Sequence, residues 1–377
     1  MSEEERIHRG LKGVYFDRSP ATYIDGQLGE LRYYGYSIHE LAENSTFEET
    51  AYLLLHGELP TLKQLETFAI ALKAARILPN AVVDIIDRIK HAHPMDVLRT
   101  AVSSLAAFDD ETSDCSAEAV LRKGIRLTSQ VPMIVAAHHR LRNGLDVIMG
   151  DESLSHAANF LHMIQGEYPS EEASRLMDLD FILHAEHGSN ASSFTARVVT
   201  GTDADLHAAI TAAIGALSGP AHGGAAENVM TMAREIGDPE RANEYVKTKR
   251  GKREAIMGFG HRVYRAEDPR ARHLRSGVER LSVEKGEPHW NQILNALVDA
   301  MRPYSRHGVN VNVDFYSGVI YHLHGIPQDL FVPIFAVGRV PGWTLQVLQQ
   351  QESNILIRPL LKYNGPDQKA YIPIDER

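Results

Sequence analysis

Two histidines and one aspartate stand out by the company they keep. His222 lies in Gly219-Pro220-Ala221-His222-Gly223-Gly224-Ala225, and His261 in Gly258-Phe259-Gly260-His261-Arg262-Val263-Tyr264. Asp314 lies in Asn312-Val313-Asp314-Phe315-Tyr316-Ser317-Gly318. Glycine lets backbone approach a ligand closely and adopt dihedrals that other residues avoid. Two imidazoles and a carboxylate suit the movement of protons on and off carbon. A carboxylate can take a proton from carbon next to a carbonyl if the resulting enolate is stabilised. A neutral imidazole donating to that oxygen does this. A second imidazole can donate to the carbonyl of an electrophile while the new carbon–carbon bond forms. One such histidine alone reads first as a cap or a core residue. The three clusters together bring the chemical reading level with the structural one.

A fourth piece, His184-Ala185-Glu186-His187-Gly188-Ser189-Asn190, has the spacing of two metal ligands. No HExxH or CxxC accompanies it and the chain has one cysteine, so a zinc site has little support. His187 and Asn190 read instead as donors to a polar substrate. Arg270 follows Asp268-Pro269, Arg339 ends the apolar run Phe335-Ala336-Val337-Gly338, and Arg358 stands between Ile357 and Pro359. A guanidinium in apolar surroundings needs a partner, and arginine commonly grips a carboxylate with two parallel hydrogen bonds. Each alone reads as an internal salt bridge; three suggest a substrate with two or three carboxylates. Gly258-Phe259-Gly260 lacks the third glycine of a dinucleotide fingerprint, and neither GxxxxGK nor GxSxG occurs.

The elements that must position these residues are mostly helical. Apolar residues recur at helical spacing over 47–56, 62–77, 121–141, 155–164, 206–217, 290–301, 315–323 and 342–351. Another helix opens at His93-Pro94-Met95, and weaker patterns cover 240–254 and 265–281. Asn44-Ser45-Thr46 caps the first of these helices, and Asp314 falls near the N-cap of the 315–323 helix. Asp25-Gly26, between short apolar pieces, predicts a small N-terminal sheet. No strand–helix alternation appears, so the expected class is all-α. The alanine-rich 206–217 segment suits either a buried core helix or a contact between subunits.

The bulk properties exclude some classes. The 377 residues are 44% hydrophobic and 23% charged, with a formal net charge of -10. No clustered basic face suggests nucleic acid. No run approaches the roughly 20 apolar residues of a membrane helix. The first ten residues lack the apolar core of a signal peptide. Cys115 alone cannot form an intrachain disulfide, which fits a reducing cytoplasm.

Taken together, 184–191, 219–225, 258–270, 312–318, Arg339 with Gly342-Trp343, and Arg358-Pro359 are similar, in order, to motifs of the citrate synthase family. The chain resembles its short bacterial and archaeal form over residues 10–366. The resemblance implies a multi-helical fold with a large domain over 1–221 and 324–377. A small domain over 222–323 would close on the substrates. It implies a homodimer acting on acetyl-CoA and oxaloacetate, with no metal or other cofactor. His222, His261 and Asp314 match the catalytic trio. His187, Arg270 and Arg339 match oxaloacetate contacts, with Asn190 beside them, and Arg358 matches one that reaches in from the other subunit. Gly258, Gly260 and Arg265 fall where coenzyme A is held. The family usually has Asn-Glu after the glycine cluster, whereas this chain has Ala226-Glu227-Asn228, which removes an amide near His222. 2-Methylcitrate synthase, using propionyl-CoA with the same trio, is the near alternative. A histidine-rich metalloprotein and a non-catalytic helical scaffold are the alternatives from other classes.

Overall fold

The computed structural model describes residues 7–11 and 13–377, so part of the signal-peptide reading, over 1–6, lies outside the described residues. Sixteen α-helices and one three-stranded antiparallel sheet make up the described chain, in agreement with the all-α expectation. Strands Thr22–Asp25 and Glu30–Tyr33 form the hairpin predicted at Asp25-Gly26. The Asp25 carboxylate shapes its turn by accepting from the backbone N–H groups of Gln27 and Leu28, at 2.8 and 2.9 Å. The hairpin also braces the site. The Gly26 carbonyl accepts from the Arg265 backbone, and the Tyr33 hydroxyl donates to the Glu186 carbonyl at 2.8 Å.

The organising element is helix Phe331–Glu352, buried along nearly its whole length. The sequence places a helix only over 342–351, whereas the structure starts it at Phe331. Pro333 sits in the first turn, where its missing N–H costs nothing, and packing carries the helix past Pro341. The expectation that no run is long and apolar enough for a membrane is also corrected. The 25 residues Gln328–Glu352 pass that test, yet 94% of their most apolar window is buried inside the protein. Gly338 and Gly342, one turn apart, let the 181–186 segment lie directly on this helix. A Cβ at Gly342 would fall on the Ala185 carbonyl oxygen. That close approach brings the His184 carbonyl onto Arg339 Nε, which donates to it.

Four helices escape the periodicity reading: Asn80–Arg88, Glu171–His184, Ala191–Thr200 and Ala225–Ile236. Glu171–His184 buries Asp178, Asp180 and His184, which interrupt its apolar stripe. Ala191–Thr200 is rich in Ser, Thr and Val, residues of modest helix propensity, and depends on its Asn190 cap. The helix expected over 265–281 begins only at Ala271, because Asp268 folds back on Arg270 and holds the preceding loop open. Helix Leu206–Leu217 buries Ala209, Ile210, Ala213, Ile214 and Leu217, while Ala208, Ala212, Gly215 and Ala216 stay half-exposed.

The fold holds many histidines in their neutral form. Burial pushes His156 down to about 3 and His324 down to about 4. Burial, and then neighbouring positive charge, brings His139 and His273 to about 4. Above their ordinary pKa these groups are neutral whether folded or unfolded and do not affect stability. As pH falls below about 6.5, the unfolded chain takes protons that the folded chain refuses. Asp178 and Glu186, raised by burial to about 7, act in the opposite sense but are fewer. The thermal midpoint should therefore fall between about pH 6.5 and 4. A calorimetric series that stays flat over this window would contradict the assignment.

Candidate functional site

Asn190 caps helix Ala191–Thr200, its Oδ1 accepting from Ser193 N–H at 3.1 Å and from Ser192 Oγ at 2.8 Å. Its amide nitrogen donates to Ser193 Oγ at 2.9 Å and to the Gly188 carbonyl at 3.4 Å. The amide read as a donor to substrate makes these contacts at the start of its own helix. Its effect passes through Ser192. The Ser192 N–H donates to His222 Nε2 at 3.3 Å, Ser192 Oγ lies 2.9 Å from the same nitrogen, and Trp343 Nε1 donates to that Oγ at 3.1 Å.

In the contact from Ser192 N–H, Nε2 accepts and the ring hydrogen sits on Nδ1; the contact to Ser192 Oγ serves either tautomer. Burial, and then Arg339, pushes the His222 pKa down to about 4. The ring is a neutral donor at ordinary pH. The amide that Ala226 removes is not needed for this orientation, because Ser192 supplies it. Ala226 is instead packed under the helix of Asp314, where its carbonyl meets Gly318.

The second cluster is stitched to the third. Phe259 and Val311 form an antiparallel bridge; Gly260 N–H donates to the Asn310 carbonyl at 2.7 Å and Asn312 N–H to the Gly258 carbonyl at 2.9 Å. Gly258 has φ +76° and a Cβ there would stand 2.6 Å from the Phe315 ring, so only glycine fits. His261 Nδ1 accepts from the Val263 and Tyr264 backbones at 3.0 and 3.2 Å, leaving its hydrogen on Nε2. Burial, and then Arg270, lowers its pKa to about 4. The His187 ring meets the His261 ring edge-on at 5.3 Å, and its Nε2 lies 3.0 Å from the Tyr264 hydroxyl.

Arg270, 4% exposed, is paired in its own chain: Nε and Nη2 engage the two Asp268 oxygens at 2.9 and 2.7 Å. Burial opposes its charge, but Asp268 more than compensates and raises its pKa. Asp268 Oδ2 also accepts from Val313 N–H at 3.3 Å, which ties this arginine to the residue before Asp314. Asp314 opens helix Asp314–Leu323 and is half-buried. Burial raises its pKa against the opposing pull of His184 and then Arg270. Among the described residues its carboxylate accepts no hydrogen bond. Arg339, 1% exposed, stacks over Phe335 at 4.6 Å, and the same ring meets His184 at 4.8 Å and His222 at 6.4 Å. Burial lowers the Arg339 pKa to about 10, still charged at neutral pH.

Arg265 is exposed, with its backbone held by Gly26 and Asn310. Arg358 is exposed on the irregular arm 353–377 and has no partner in its own chain among the described residues. Of the two histidines at this spacing, His184 Nδ1 turns to the Asp180 carbonyl and His187 Nε2 to the Tyr264 hydroxyl. Sequence reasoning passed over Ser192 and Asp180 and gave no role to Tyr264, Asp268 or Trp343, although these three lie in or beside the motifs it singled out.

A helical body carries two neutral imidazoles and a carboxyl of raised pKa, with two buried guanidiniums in the same region, a set with the chemistry to move protons and to hold carboxylates. The family model described as "Citrate synthase, C-terminal domain" matches residues 10–360, and the chain belongs to the citrate synthase family. It is 44% identical over 371 residues to "Citrate synthase 2" of Bacillus subtilis, covering 98% of this chain and 99% of that one. It is 42% identical over 377 residues to "2-methylcitrate synthase 2" of Corynebacterium glutamicum, covering 98% of each. A citrate synthase of Thermoplasma acidophilum, solved with carboxymethyl coenzyme A and oxaloacetate, superposes with TM-score 0.93 at 31% identity, covering 99% of this chain and all of that one.

Proposed function

We propose that this chain condenses acetyl-CoA with oxaloacetate and hydrolyses citryl-CoA to citrate and coenzyme A. The observation that carries this is the buried, neutral His222 imidazole, whose Nε2 accepts from Ser192 N–H and leaves Nδ1–H to donate. Asp314 takes a proton from the acetyl methyl group, and the electrons of that C–H bond form the enol, whose oxygen accepts from His222. The enol carbon attacks the oxaloacetate ketone, and His261 Nε2–H donates to the ketone oxygen as it becomes a hydroxyl. The proton taken up by Asp314 makes good the one given by His261, and water then cleaves the thioester, its hydroxyl going to the acyl carbon and its other hydrogen to the leaving thiolate, which releases citrate and free thiol. Arg270, Arg339 and His187 hold the oxaloacetate carboxylates, and the stacking of Arg339 on Phe335 keeps its charge beside His222. The steps draw on the chain, its two substrates and water.

The domain division 1–221, 222–323 and 324–377 fits this chemistry, because it puts His222, His261, Arg270 and Asp314 on one body and His187 and Arg339 on the other. Exposed Arg265 suits a phosphate of coenzyme A, while Gly258 and Gly260 shape the loop beneath it. A homodimer is supported by the arm 353–377, where Leu360 and Leu361 are 84% and 98% exposed. Apolar side chains so placed call for a second surface. A cytoplasmic location fits exposed, unpaired Cys115.

Relatives named for 2-methylcitrate leave the acyl group as the open choice, and one methylene changes discrimination by only about 1–3 kcal/mol. Thiol release at fixed oxaloacetate, with a chelator present, should show higher kcat/KM for acetyl-CoA than for propionyl-CoA. The reverse order would make the chain a 2-methylcitrate synthase. A metalloprotein or a scaffold would release no thiol under these conditions.

A further inference from the structure

Tyr264 stands three residues after His261 and is 1% exposed. The reaction as written gives it no part, yet it touches two histidines of the site. Its backbone N–H donates to His261 Nδ1 at 3.2 Å, and its ring lies tilted against the His261 ring at 4.8 Å. Its hydroxyl lies 3.0 Å from His187 Nε2 and makes no other hydrogen bond among the described residues. His187, also buried, comes from the loop between helices Glu171–His184 and Ala191–Thr200. The N-terminal hairpin seats both partners. Its Tyr33 hydroxyl donates to the carbonyl of Glu186, one residue before His187. In its turn, the Gly26 carbonyl accepts from Arg265 N–H at 2.6 Å, and a Cβ on Gly26 would stand 2.3 Å from the Val263 carbonyl oxygen. Only glycine allows the turn to lie this close to the residues on either side of Tyr264.

The direction of the Tyr264–His187 hydrogen bond follows from what His187 has to bind. Burial, and then Arg270, holds the His187 pKa well below its ordinary value, and burial raises that of Tyr264, so the pair is a neutral imidazole and a phenol. A neutral imidazole donates from one nitrogen only, and the partner of the other nitrogen decides which. An ionised carboxylate only accepts, so His187 holds one only through a nitrogen that carries hydrogen. Nε2 is taken by Tyr264, while Nδ1 has no hydrogen-bond partner among the described residues. If the phenol donates to Nε2, the hydrogen stays on Nδ1. If the phenol accepted, Nδ1 would meet a carboxylate with a lone pair and repel it.

We propose that Tyr264 is a positioning residue that serves both histidines: its backbone N–H holds His261, and its hydroxyl donates to His187 Nε2, which leaves the His187 hydrogen on Nδ1 to bind oxaloacetate. This rests on the reading of His187 as an oxaloacetate contact. The backbone half of the role belongs to any residue at this position, whereas the hydroxyl half belongs to tyrosine. The same hydrogen bond joins the two bodies of the domain division, since 187 falls in one and 264 in the other. Phenylalanine at 264 would keep the ring and the hold on His261 but leave Nε2 buried without a donor, and His187 would then be free to carry its hydrogen on either nitrogen.

The test measures steady-state thiol release by the full chain with Tyr264→Phe, His187→Ala and both together, beside wild type. Tyr264→Phe should raise the oxaloacetate KM at least about tenfold, the scale of one hydrogen bond to a charged group, and should change kcat and the acetyl-CoA KM by much less. In the His187→Ala background the same substitution should raise the oxaloacetate KM by less than about twofold, because the hydroxyl then has no ring to orient. An unchanged oxaloacetate KM in Tyr264→Phe, or an equal rise in both backgrounds, overturns the proposal, since a merely structural loss acts with or without His187. If Tyr264→Phe does not fold, nitrogen-15 spectra of the histidine-labelled wild-type chain carry the test, with the His187 signals identified by their loss in His187→Ala. Hydrogen on Nδ1 is the expected result, and hydrogen on Nε2 overturns the proposal. An oxaloacetate KM that His187→Ala leaves unchanged would instead overturn the reading of His187 as an oxaloacetate contact.

Discussion

Asp314→Asn should lower thiol release by at least about a hundredfold, within the range usual for loss of a general base, while oxaloacetate affinity stays near wild type. Asparagine keeps the shape of the side chain at the first residue of helix Asp314–Leu323. Its amide cannot take a proton from carbon. The carboxylate it replaces accepts no hydrogen bond among the described residues, so no internal network collapses with it. The proposed oxaloacetate contacts, Arg270, Arg339 and His187, keep their own partners in Asp268, the His184 carbonyl and Tyr264. A group that acts only in the transition state lowers kcat and kcat/KM together when removed. Calorimetry and steady-state kinetics on the same preparation separate the two effects. Turnover above about a tenth of wild type, a loss of only ~1.4 kcal/mol, would remove Asp314 from the role of base.

Arg358→Ala should be nearly inactive at ordinary oxaloacetate concentration, and its activity should return when it is mixed with Asp314→Asn subunits. Arg358 is exposed on an arm whose apolar residues stand in solvent in the single chain. Its only route to a substrate carboxylate in this reading is across a subunit interface. In a mixed dimer, one site then combines Asp314 of one chain with Arg358 of the other and is intact, while its twin carries both lesions. Random reassortment of equal amounts gives about a quarter of wild-type activity from two nearly inactive parents, as follows from two-fold symmetry. Reassortment without recovery would place Arg358 at its own chain's site or at none. A monomer mass by light scattering, with full activity, would remove the shared site altogether.

What was legible in the sequence was local. His222, His261 and Asp314 announced themselves because glycines and small residues surround each. The hairpin at Asp25-Gly26 and helices Phe47–His56 and Leu206–Leu217 were legible because turn chemistry and apolar period agree there. What was hidden depends on partners far apart in the chain. Ser192 reaches His222 from helix Ala191–Thr200, Asp268 joins Arg270 to Val313, and Asp180 reaches Ser317 and Tyr321. No periodicity reports such pairs. The early start of helix Phe331–Glu352 was hidden for a related reason: it is buried on several faces, so no single apolar stripe marks it, and packing carries it past Pro341. Asn190 shows the converse, a polar residue read as a ligand contact whose nearest task was the start of its own helix.

The most direct measurement is the stoichiometry of thiol and citrate formed from acetyl-CoA by the wild-type chain, with and without oxaloacetate. The account predicts one citrate for each thiol released, and almost no thiol when oxaloacetate is left out, since the enol then has no electrophile to attack. Thiol released at the same rate without oxaloacetate, or released without citrate, would show a thioesterase in place of a condensing enzyme and contradict the roles given to His261, Arg270 and Arg339.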